Sequence, residues 1–225
     1  MSPTTLPISV AIIPVTAFEQ NCSVVWDTDT KDAAVVDPGG DVEKILARIE
    51  ASHLNVQKIL ITHAHIDHAG ATNRLKELLH VPIEGPHPDE QFWIDQLAEE
   101  GERYGIKSYG AFLPDRWLHD HDQVTVGNQT FDVIHCPGHT PGHVVFFHEA
   151  TRFAIVGDVL FKGSIGRTDF PKGNHADLIH SIRDKLFPFG DDVRFLPGHG
   201  PLSTFGEERR SNPFVSDRAV NSGSR

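Results

Sequence analysis

A cluster of four side chains of the types that bind metals limits most strongly how this sequence can fold. The cluster consists of His63, His65, Asp67 and His68. It begins where a short apolar stretch, residues 58–62, predicts a buried strand. Side chains alternate between the two faces of a strand, so His63 and His65 should point the same way. Imidazole and carboxylate groups suit Zn, Fe, Mn or Co, although surface histidines on a loop are the other interpretation of this segment alone.

Three further candidate ligands, His139, Asp158 and His199, each follow a predicted strand and have a glycine beside them. Glycine has no Cβ and lets the backbone come close to a crowded centre. The full set of seven exceeds the four ligands that a single structural zinc takes. Together these residues predict a centre for two metal ions and favour a metal site over a set of surface histidines.

Short β-branched stretches alternate with segments of helical periodicity along the chain. Strands are predicted at 8–15, 22–26, 33–36, 58–62, 81–83, 124–126, 129–135, 144–148, 153–156 and 193–196. Helices are predicted at 42–49, with Asp41 as the N-cap, and at 69–79, 88–104 and 177–186. Two blocks of strands with helices favour an α/β sandwich of two sheets with outer helices. We expect one domain over residues 1–214 and a frayed C-terminal tail over 215–225.

Composition excludes several classes of protein. Twenty basic against 31 acidic residues give a formal net charge of −11, without the basic face of a nucleic-acid binder. No signal peptide and no membrane-length apolar run are visible, so no membrane partner is expected and the cytoplasm is the expected location. Cys22 and Cys136 are expected to be buried and unpaired. Five other histidines are expected to be surface or packing residues, namely His53, His80, His119, His121 and His148.

These motifs give the sequence a family resemblance. It resembles the metallo-β-lactamase superfamily, and within it the glyoxalase II-like hydrolases, which are hydroxyacylglutathione hydrolases. The resemblance rests on THxHxDH at 62–68, PGHTPGH at 137–143, GDxLF at 157–161 and PGHG at 197–200. GSIGRTDF at 163–170 and the GEERRSNPF-like end at 206–214 are most similar to the compact bacterial type. The resemblance implies a four-layer αββα sandwich with two mixed sheets and outer helices.

The resemblance also implies how two divalent metal ions would be shared among the ligands. One ion would be held by His63, His65 and His139. The other would be held by Asp67, His68 and His199. Asp158 would bridge the two ions, and His143 is expected to be a structural hydrogen-bonding residue. Zn is the expected metal, and Fe or Mn remain open because these ligands accept all three.

The reaction that the resemblance implies is hydrolysis of S-lactoylglutathione to a hydroxy acid and glutathione. A hydroxide bridging the metals would attack the thioester, with Asp67 and Asp158 as the catalytic carboxylates. Arg167 would bind a substrate carboxylate, and Asp169 would position Arg167. The expected partner is therefore a small glutathione thioester, and the protein is expected to be a monomer or a small homo-oligomer.

Three other functions remain open at this level. A persulfide dioxygenase of the same superfamily uses one iron, although the PGHG segment at 197–200 favours hydrolysis. A lactonase or β-lactamase is disfavoured because Asp158 stands where many β-lactamases carry a cysteine. A metal-binding module without catalysis is disfavoured because a purely structural site has no use for an open bridging position.

Overall fold

The computed structural model describes residues 6–222, and the elements within that range form two large sheets flanked by helices and one two-stranded sheet, β10-β11. The strands are β1 Ile8–Val15, β2 Gln20–Asp27, β3 Asp32–Val36, β4 Asn55–Leu60, β5 Ile83–Glu84, β6 Gln123–Val126, β7 Gln129–His135, β8 Val144–His148, β9 Phe153–Gly157, β10 Leu160–Phe161, β11 Ser164–Ile165, β12 Arg194–Pro197 and β13 Ser203–Thr204. The α-helices are α1 Val42–Ala51, α2 Ile66–Ala69, α3 Thr72–Leu79, α4 Gln91–Asp95, α5 Leu97–Tyr104, α6 His175–His180, α7 Phe205–Ser211 and α8 Asp217–Ser222. Short 3₁₀ turns lie at Pro88–Glu90, Glu149–Thr151 and Phe187–Phe189, and a π-helical segment covers Ser181–Leu186.

Both large sheets are mixed. The first has the order β1-β2-β3-β4-β5, in which β3, β4 and β5 run parallel. The second has the order β13-β12-β9-β8-β7-β6, in which only β12 and β9 pair in parallel. Parallel neighbours end at the same edge of a sheet, so the residues that follow β9 and β12 are brought together.

Three apolar clusters show that the sheets and helices form four layers. Alternate residues of one strand enter different clusters, as the pleat requires. Val24 and Val35 face the cluster that α1, α3 and α5 complete, whereas Val25 and Val36 face the cluster between the two sheets. A third cluster lies between the second sheet and the helices that follow residue 175. The αββα prediction is therefore confirmed.

The helices differ in detail from their predicted spans. The span predicted at 69–79 is divided at Gly70–Ala71 into α2 and α3, and the span at 88–104 is divided into a 3₁₀ turn and two α-helices. Asp41 stands at the N-cap of α1. Its backbone adopts the left-handed conformation, with φ of 46°, and its side chain accepts no hydrogen bond from the first turn of the helix. Its carboxylate instead accepts from the backbone N–H of Thr16 and pairs with Lys44, so the predicted N-cap position is confirmed although the side chain does not cap the helix.

The segment predicted to be a frayed C-terminal tail begins with packed residues. Val215 is fully buried in the third cluster, and α8 covers Asp217–Ser222. Arg183 fixes this segment by donating to the backbone carbonyl of Val215. An apolar contact and a hydrogen bond therefore hold residue 215, the fraying of the tail stays a prediction, and residues 223–225 lie outside the described range.

Candidate metal centre

The seven predicted ligands come together at one edge of the two sheets. His63 and His65 lie in the turn after β4, and Asp67 and His68 lie in the single-turn helix α2. The other three follow strands of the second sheet: His139 comes after β7, Asp158 after β9 and His199 after β12. The metal-binding side chains of both sheets therefore converge where these strands end.

Two triads of potential ligands result. His63, His65 and His139 each offer a ligand atom within 4.8 Å of the others, as do Asp67, His68 and His199. In the first triad, His139 Nε2 lies 3.0 Å from His65 Nδ1. In the second, His199 Nε2 lies 3.0 Å and His68 Nε2 lies 3.9 Å from Asp67 Oδ2. These are the two groups that the resemblance implies.

Asp158 lies between the triads. Its Oδ1 is 3.2 Å from His68 Nε2, and its Oδ2 is 3.6 Å from His139 Nε2 and 3.7 Å from His199 Nε2. One carboxylate therefore reaches members of both triads. This is the arrangement that a bridging ligand requires, and the ligand role itself stays a prediction.

A buried aspartate orients two of the histidines. Asp37 accepts the backbone N–H of Thr62 at 2.7 Å, the Thr62 hydroxyl at 2.6 Å and His68 Nδ1 at 2.9 Å. Since the Thr62 hydroxyl donates to Asp37, it accepts from His63 Nδ1, 3.1 Å away. Both imidazoles thus carry their proton on Nδ1 and turn an Nε2 lone pair toward the centre. Asp37 could also group with His63 and His68 as a ligand, but three donors already use its oxygens.

Backbone carbonyls orient two more imidazoles in the same way. His139 Nδ1 donates to the carbonyl of Arg167 at 2.7 Å, and His199 Nδ1 donates to the carbonyl of Phe18 at 3.1 Å. In both, the proton on Nδ1 leaves Nε2 as the acceptor, which is the form that binds a metal. His143 Nε2 accepts from the backbone N–H of Asp158 at 3.0 Å, so it makes the structural hydrogen bond expected of it.

The polar atoms at the centre fit a pair of cations. Among the described residues, His63 Nε2, His68 Nε2 and Asp158 Oδ1 are buried without a hydrogen-bond partner, and the last two lie 3.2 Å apart. Burial and the surrounding imidazoles hold the pKa values of His63 and His65 well below the usual histidine range, so both are neutral. Neutral imidazoles beside unpaired carboxylate oxygens are the donor set that divalent zinc, iron or manganese takes.

The charges of the second triad require compensation. Burial opposes the ionised form of Asp158, but His68, His139 and His199 outweigh it and lower the pKa of this carboxyl. Burial likewise disfavours charge on His68, yet Asp158 and Asp67 raise its pKa well above the usual range. The carboxylates of Asp67 and Asp158 therefore attract positive charge, which protons on the imidazoles or bound divalent ions can supply.

Glycine is required where the chain passes closest to the ligands. A Cβ on Gly198 would lie 2.1 Å from Asp158 Oδ1, and a Cβ on Gly39 would lie 1.4 Å from the carbonyl oxygen of Asp67. No side chain fits at either distance. The sequence-based expectation that glycine allows close approach is therefore confirmed at Gly198.

Glu90 joins the two ligand-bearing loops of different sheets. It is fully buried, and it accepts the backbone N–H of Ala64 at 2.9 Å and that of Gly142 at 2.7 Å. Ala64 stands between two candidate ligands, and Gly142 lies in the loop, residues 136–143, that carries His139. Burial raises the pKa of Glu90 to about 7, while the two N–H groups favour the carboxylate. Glu90 thus fixes the separation of the loops.

A cleft of about 540 Å³ opens onto the centre. Four aromatic side chains line it, namely Phe18, Tyr104, Phe161 and Phe170. Lys162 and Arg167 add positive charge to the lining. Phe170 packs 4.8 Å from His65, ring to ring. The cleft therefore combines apolar walls with cationic groups and gives an organic anion access to the metal-binding side chains.

Arg167 and Asp169 lie in the loop beside this cleft. Arg167 forms a two-point ion pair with Asp169, with N–O distances of 2.9 and 2.8 Å, and its guanidinium lies 4.5 Å from the centre of the Phe170 ring. Both side chains of the ion pair are about two-thirds exposed, at 67% and 68%. Their contact with a substrate stays a prediction.

Asp37 and Glu90 were missed at the sequence level. Asp37 was assigned only to a turn, although the left-handed φ of 52° at this non-glycine residue is the kind of strain found at functional sites. Glu90 stands in a segment predicted to be an ordinary helix. An acidic residue directly after a buried β-branched strand was the one available signal for Asp37, and no local signal marks Glu90.

Neither cysteine takes part in the centre. Cys22 and Cys136 are both buried and unpaired, as expected. Burial raises the pKa of both thiols well above the usual cysteine value. In residues 6–222, no helix is long and apolar enough to cross a membrane.

Several known proteins are similar to this chain in sequence and in fold. The hydroxyacylglutathione hydrolase GloC of Haemophilus influenzae is 46% identical over 213 residues, which are 94% of this chain and 100% of that protein. The crystal structure of the B3 metallo-β-lactamase BLEG-1 is 35% identical with a TM-score of 0.85, covering 92% of this chain and 99% of that one. The protein TTHA1623, solved in a di-iron-bound form, is 33% identical with a TM-score of 0.83, covering 91% and 100%.

The family assignment follows from these matches. The model of the metallo-β-lactamase superfamily matches residues 15–199, a span that includes all seven candidate ligands. The Haemophilus hydrolase aligns over its whole length, so the match is not confined to the ligand motifs. The chain belongs to the metallo-β-lactamase superfamily and, within it, to the glyoxalase II-like hydrolases.

Proposed function

We propose that this protein hydrolyses hydroxyacylglutathione thioesters, with S-lactoylglutathione as the model substrate, to a hydroxy acid and glutathione. The observation that carries the proposal is the position of Asp158 between two complete triads at the base of a cleft whose lining includes Lys162 and Arg167. The 46% identity to the Haemophilus hydroxyacylglutathione hydrolase supports the substrate class.

The residues present would hold two divalent ions as the resemblance implies. When bound, such a pair supplies Lewis acidity and lowers the pKa of water toward neutrality. His63, His65 and His139 would hold one ion, and Asp67, His68 and His199 the other. Zn, Fe and Mn all suit these donors, and the di-iron form of TTHA1623 keeps iron among them.

The chain supplies the remaining requirements of the reaction. Asp67 lines the cleft, and its carboxylate can orient the attacking water or accept its proton at Oδ2. The leaving group is a thiolate whose conjugate acid has a pKa of about 8.5, so no strong acid is needed to protonate it. The aromatic walls exclude water from the acyl group and hold it beside the centre. These features suit a thioester better than an amide, whose nitrogen must be protonated to leave.

The experiment that tests the proposal measures thiol release from S-lactoylglutathione by purified, metal-loaded protein. We expect thiol release with no oxygen uptake and about two metal ions per chain. The main alternative is a mononuclear iron persulfide dioxygenase, which predicts oxygen consumption with glutathione persulfide and no thioester cleavage. That result, or faster cleavage of a β-lactam than of any thioester, would overturn the proposal. Cytoplasmic location stays a prediction that cell fractionation can check.

Replacing Arg167 with alanine is expected to raise KM for S-lactoylglutathione about tenfold and to change kcat little, because its bond to a substrate carboxylate is equally strong before and during reaction. The ion pair with Asp169 is exposed and contributes little to stability, so the fold should be unaffected. Steady-state kinetics over a substrate range would measure the change. Arg74→Ala, at an exposed arginine of α3 paired with Glu77, is the control. An unchanged KM would mean that Arg167 is an ordinary surface residue that does not bind the substrate.

A further inference from the structure

A second group of metal-binding side chains lies outside the centre described above. It consists of His87, Asp89 and His135. His87 follows β5 and the Gly85–Pro86 peptide, Asp89 lies in the 3₁₀ turn after it, and His135 is the last residue of β7. None of these residues belongs to the seven candidate ligands or to the lining of the cleft, so the proposed hydrolysis gives this group no role.

The distances within this group suit one small metal ion. His87 Nδ1 lies 3.4 Å from Asp89 Oδ2, and one donor atom from each of the three residues lies within 4.8 Å of the others. Tetrahedral zinc with bonds near 2.1 Å separates its ligand atoms by about 3.4 Å. The His87 and His135 rings are stacked, with centres 4.2 Å apart and planes 14° from parallel, so the rings must rotate away from this stacked arrangement before both lone pairs point to one ion.

Hydrogen bonds leave the two imidazoles in forms that can bind a cation. His135 Nε2 donates to the carbonyl of Pro141 at 2.9 Å, which leaves the lone pair on Nδ1. His87 Nδ1 accepts a long bond of 3.3 Å from the backbone N–H of Asp89, so its lone pair already lies on the side of that carboxylate. Burial and the neighbouring His135 lower the pKa of His87, which keeps this ring neutral. Asp89 is exposed and supplies the negative charge.

We propose that His87, Asp89 and His135 form a third, peripheral site for a single borderline divalent cation such as Zn²⁺. His119, whose ring centre lies 5.1 Å from that of His87 and whose side chain is mostly exposed, can complete four-coordination, as can water. Two imidazoles and a carboxylate select Zn²⁺, Cu²⁺ or Ni²⁺ over Mg²⁺ and Ca²⁺, which prefer oxygen. The site does not depend on the proposed thioester activity.

The site connects to the loop that carries His139. The backbone N–H of His87 donates to the carbonyl of Gly142, and His135 holds the carbonyl of Pro141. Both hydrogen bonds are therefore made to the C-terminal end of the 136–143 loop, and His135 directly precedes the loop in the chain. Cation binding here stiffens that loop without touching a residue of the centre.

The test is equilibrium dialysis of the full-length, metal-loaded protein against Zn²⁺, with metal content measured by mass spectrometry. We expect about three zinc ions per wild-type chain, because a third site adds to the two implied by the seven central ligands. His135→Gln should lose about one of the three. Asp89→Asn, at an exposed position with little risk to folding, should weaken the third site at least about tenfold. His121→Asn is the matched control, since His121 is a nearby exposed histidine outside the group, and it should retain all three.

Two results would overturn the proposal. Wild-type protein that binds no more zinc per chain than Asp89→Asn and His135→Gln has no such site, whatever the number of ions at the centre. A third zinc ion that remains in Asp89→Asn and His135→Gln with unchanged affinity is bound elsewhere on the surface. Thermal melting of each variant shows whether it is folded, and Asp89→Asn decides the question if His135→Gln is not. Thioester hydrolysis is not the readout, so failure of this site and failure of the proposed function are distinguishable.

Discussion

Protein carrying Asp158→Ala is expected to bind markedly less metal and to lose activity by at least about 100-fold, more than the loss of an outer partner of a metal ligand costs. The reason is that the Asp158 carboxylate reaches His68, His139 and His199 and thus joins both triads. Its removal leaves one side of each proposed ion without a ligand. Metal content and initial rates of thioester hydrolysis on the same preparation would measure both effects.

The control for this variant is Asp192→Ala, since Asp192 is an exposed aspartate that pairs with Arg152 far from the centre. It should keep full metal content and rate. If Asp158→Ala also retained both, the bridging assignment would be wrong. A variant that lost activity but kept two metal ions would reassign Asp158 from ligand to a residue that acts on the substrate.

Asp37→Asn is expected to weaken binding of the metal in the His68 triad by about 10–100-fold while leaving the chain folded. Asparagine keeps the size of the side chain but replaces one acceptor oxygen by a donor. In one orientation of the amide, the new N–H donor would face the backbone N–H of Thr62. In the other, it would face the Thr62 hydroxyl and His68 Nδ1, which both donate to Oδ2 in the wild type. Either clash would cost His63 and His68 their fixed orientation. Competition with a chelator would measure the affinity, and circular dichroism would monitor the fold.

Asp27→Asn provides a control matched for burial. Asp27 is also fully buried, and it accepts hydrogen bonds from the backbone N–H groups of Asp29, Thr30 and Asn128. It is the last residue of β2, whereas the first residue of that strand, Gln20, contacts His68. It should lower the free energy of unfolding without changing metal affinity. Equal losses of metal affinity in both variants would mean that Asp37 acts only through general stability.

The convergence of the candidate ligands could be predicted from the sequence because most of them are marked locally. His63 and His65 follow a recognisable strand at a spacing of two, and His139, Asp158 and His199 each stand beside glycine at a strand end. Strand-end position is a local property, and convergence follows once parallel strands are assumed. The layer order could be anticipated because β-branched stretches and helical periodicity alternate in two blocks.

The supporting residues could not be predicted, because their roles depend on contacts between distant segments. Asp37 meets Thr62 across 25 residues, and Glu90 meets Ala64 across 26 and Gly142 across 52. Register between segments decides such contacts, and single-sequence patterns do not carry it. The break at Gly70 between α2 and α3 was missed for a similar reason, since Gly70 is packed against the backbone of Gly39 and Ile66.

The Glu90 bridge has a consequence for how the enzyme acquires its metals in the cell. Glu90, Asp37 and two backbone carbonyls hold the ligand loops and imidazoles in place through bonds within the protein. Incorporation of metal is then a binding step on a folded chain, unlike in small zinc domains that fold only around the ion. A rigid set of histidine and carboxylate donors discriminates weakly between zinc, iron and manganese. The supply of each metal at the time of maturation would therefore decide which one the enzyme carries, and growth conditions should change the metal content of otherwise identical protein.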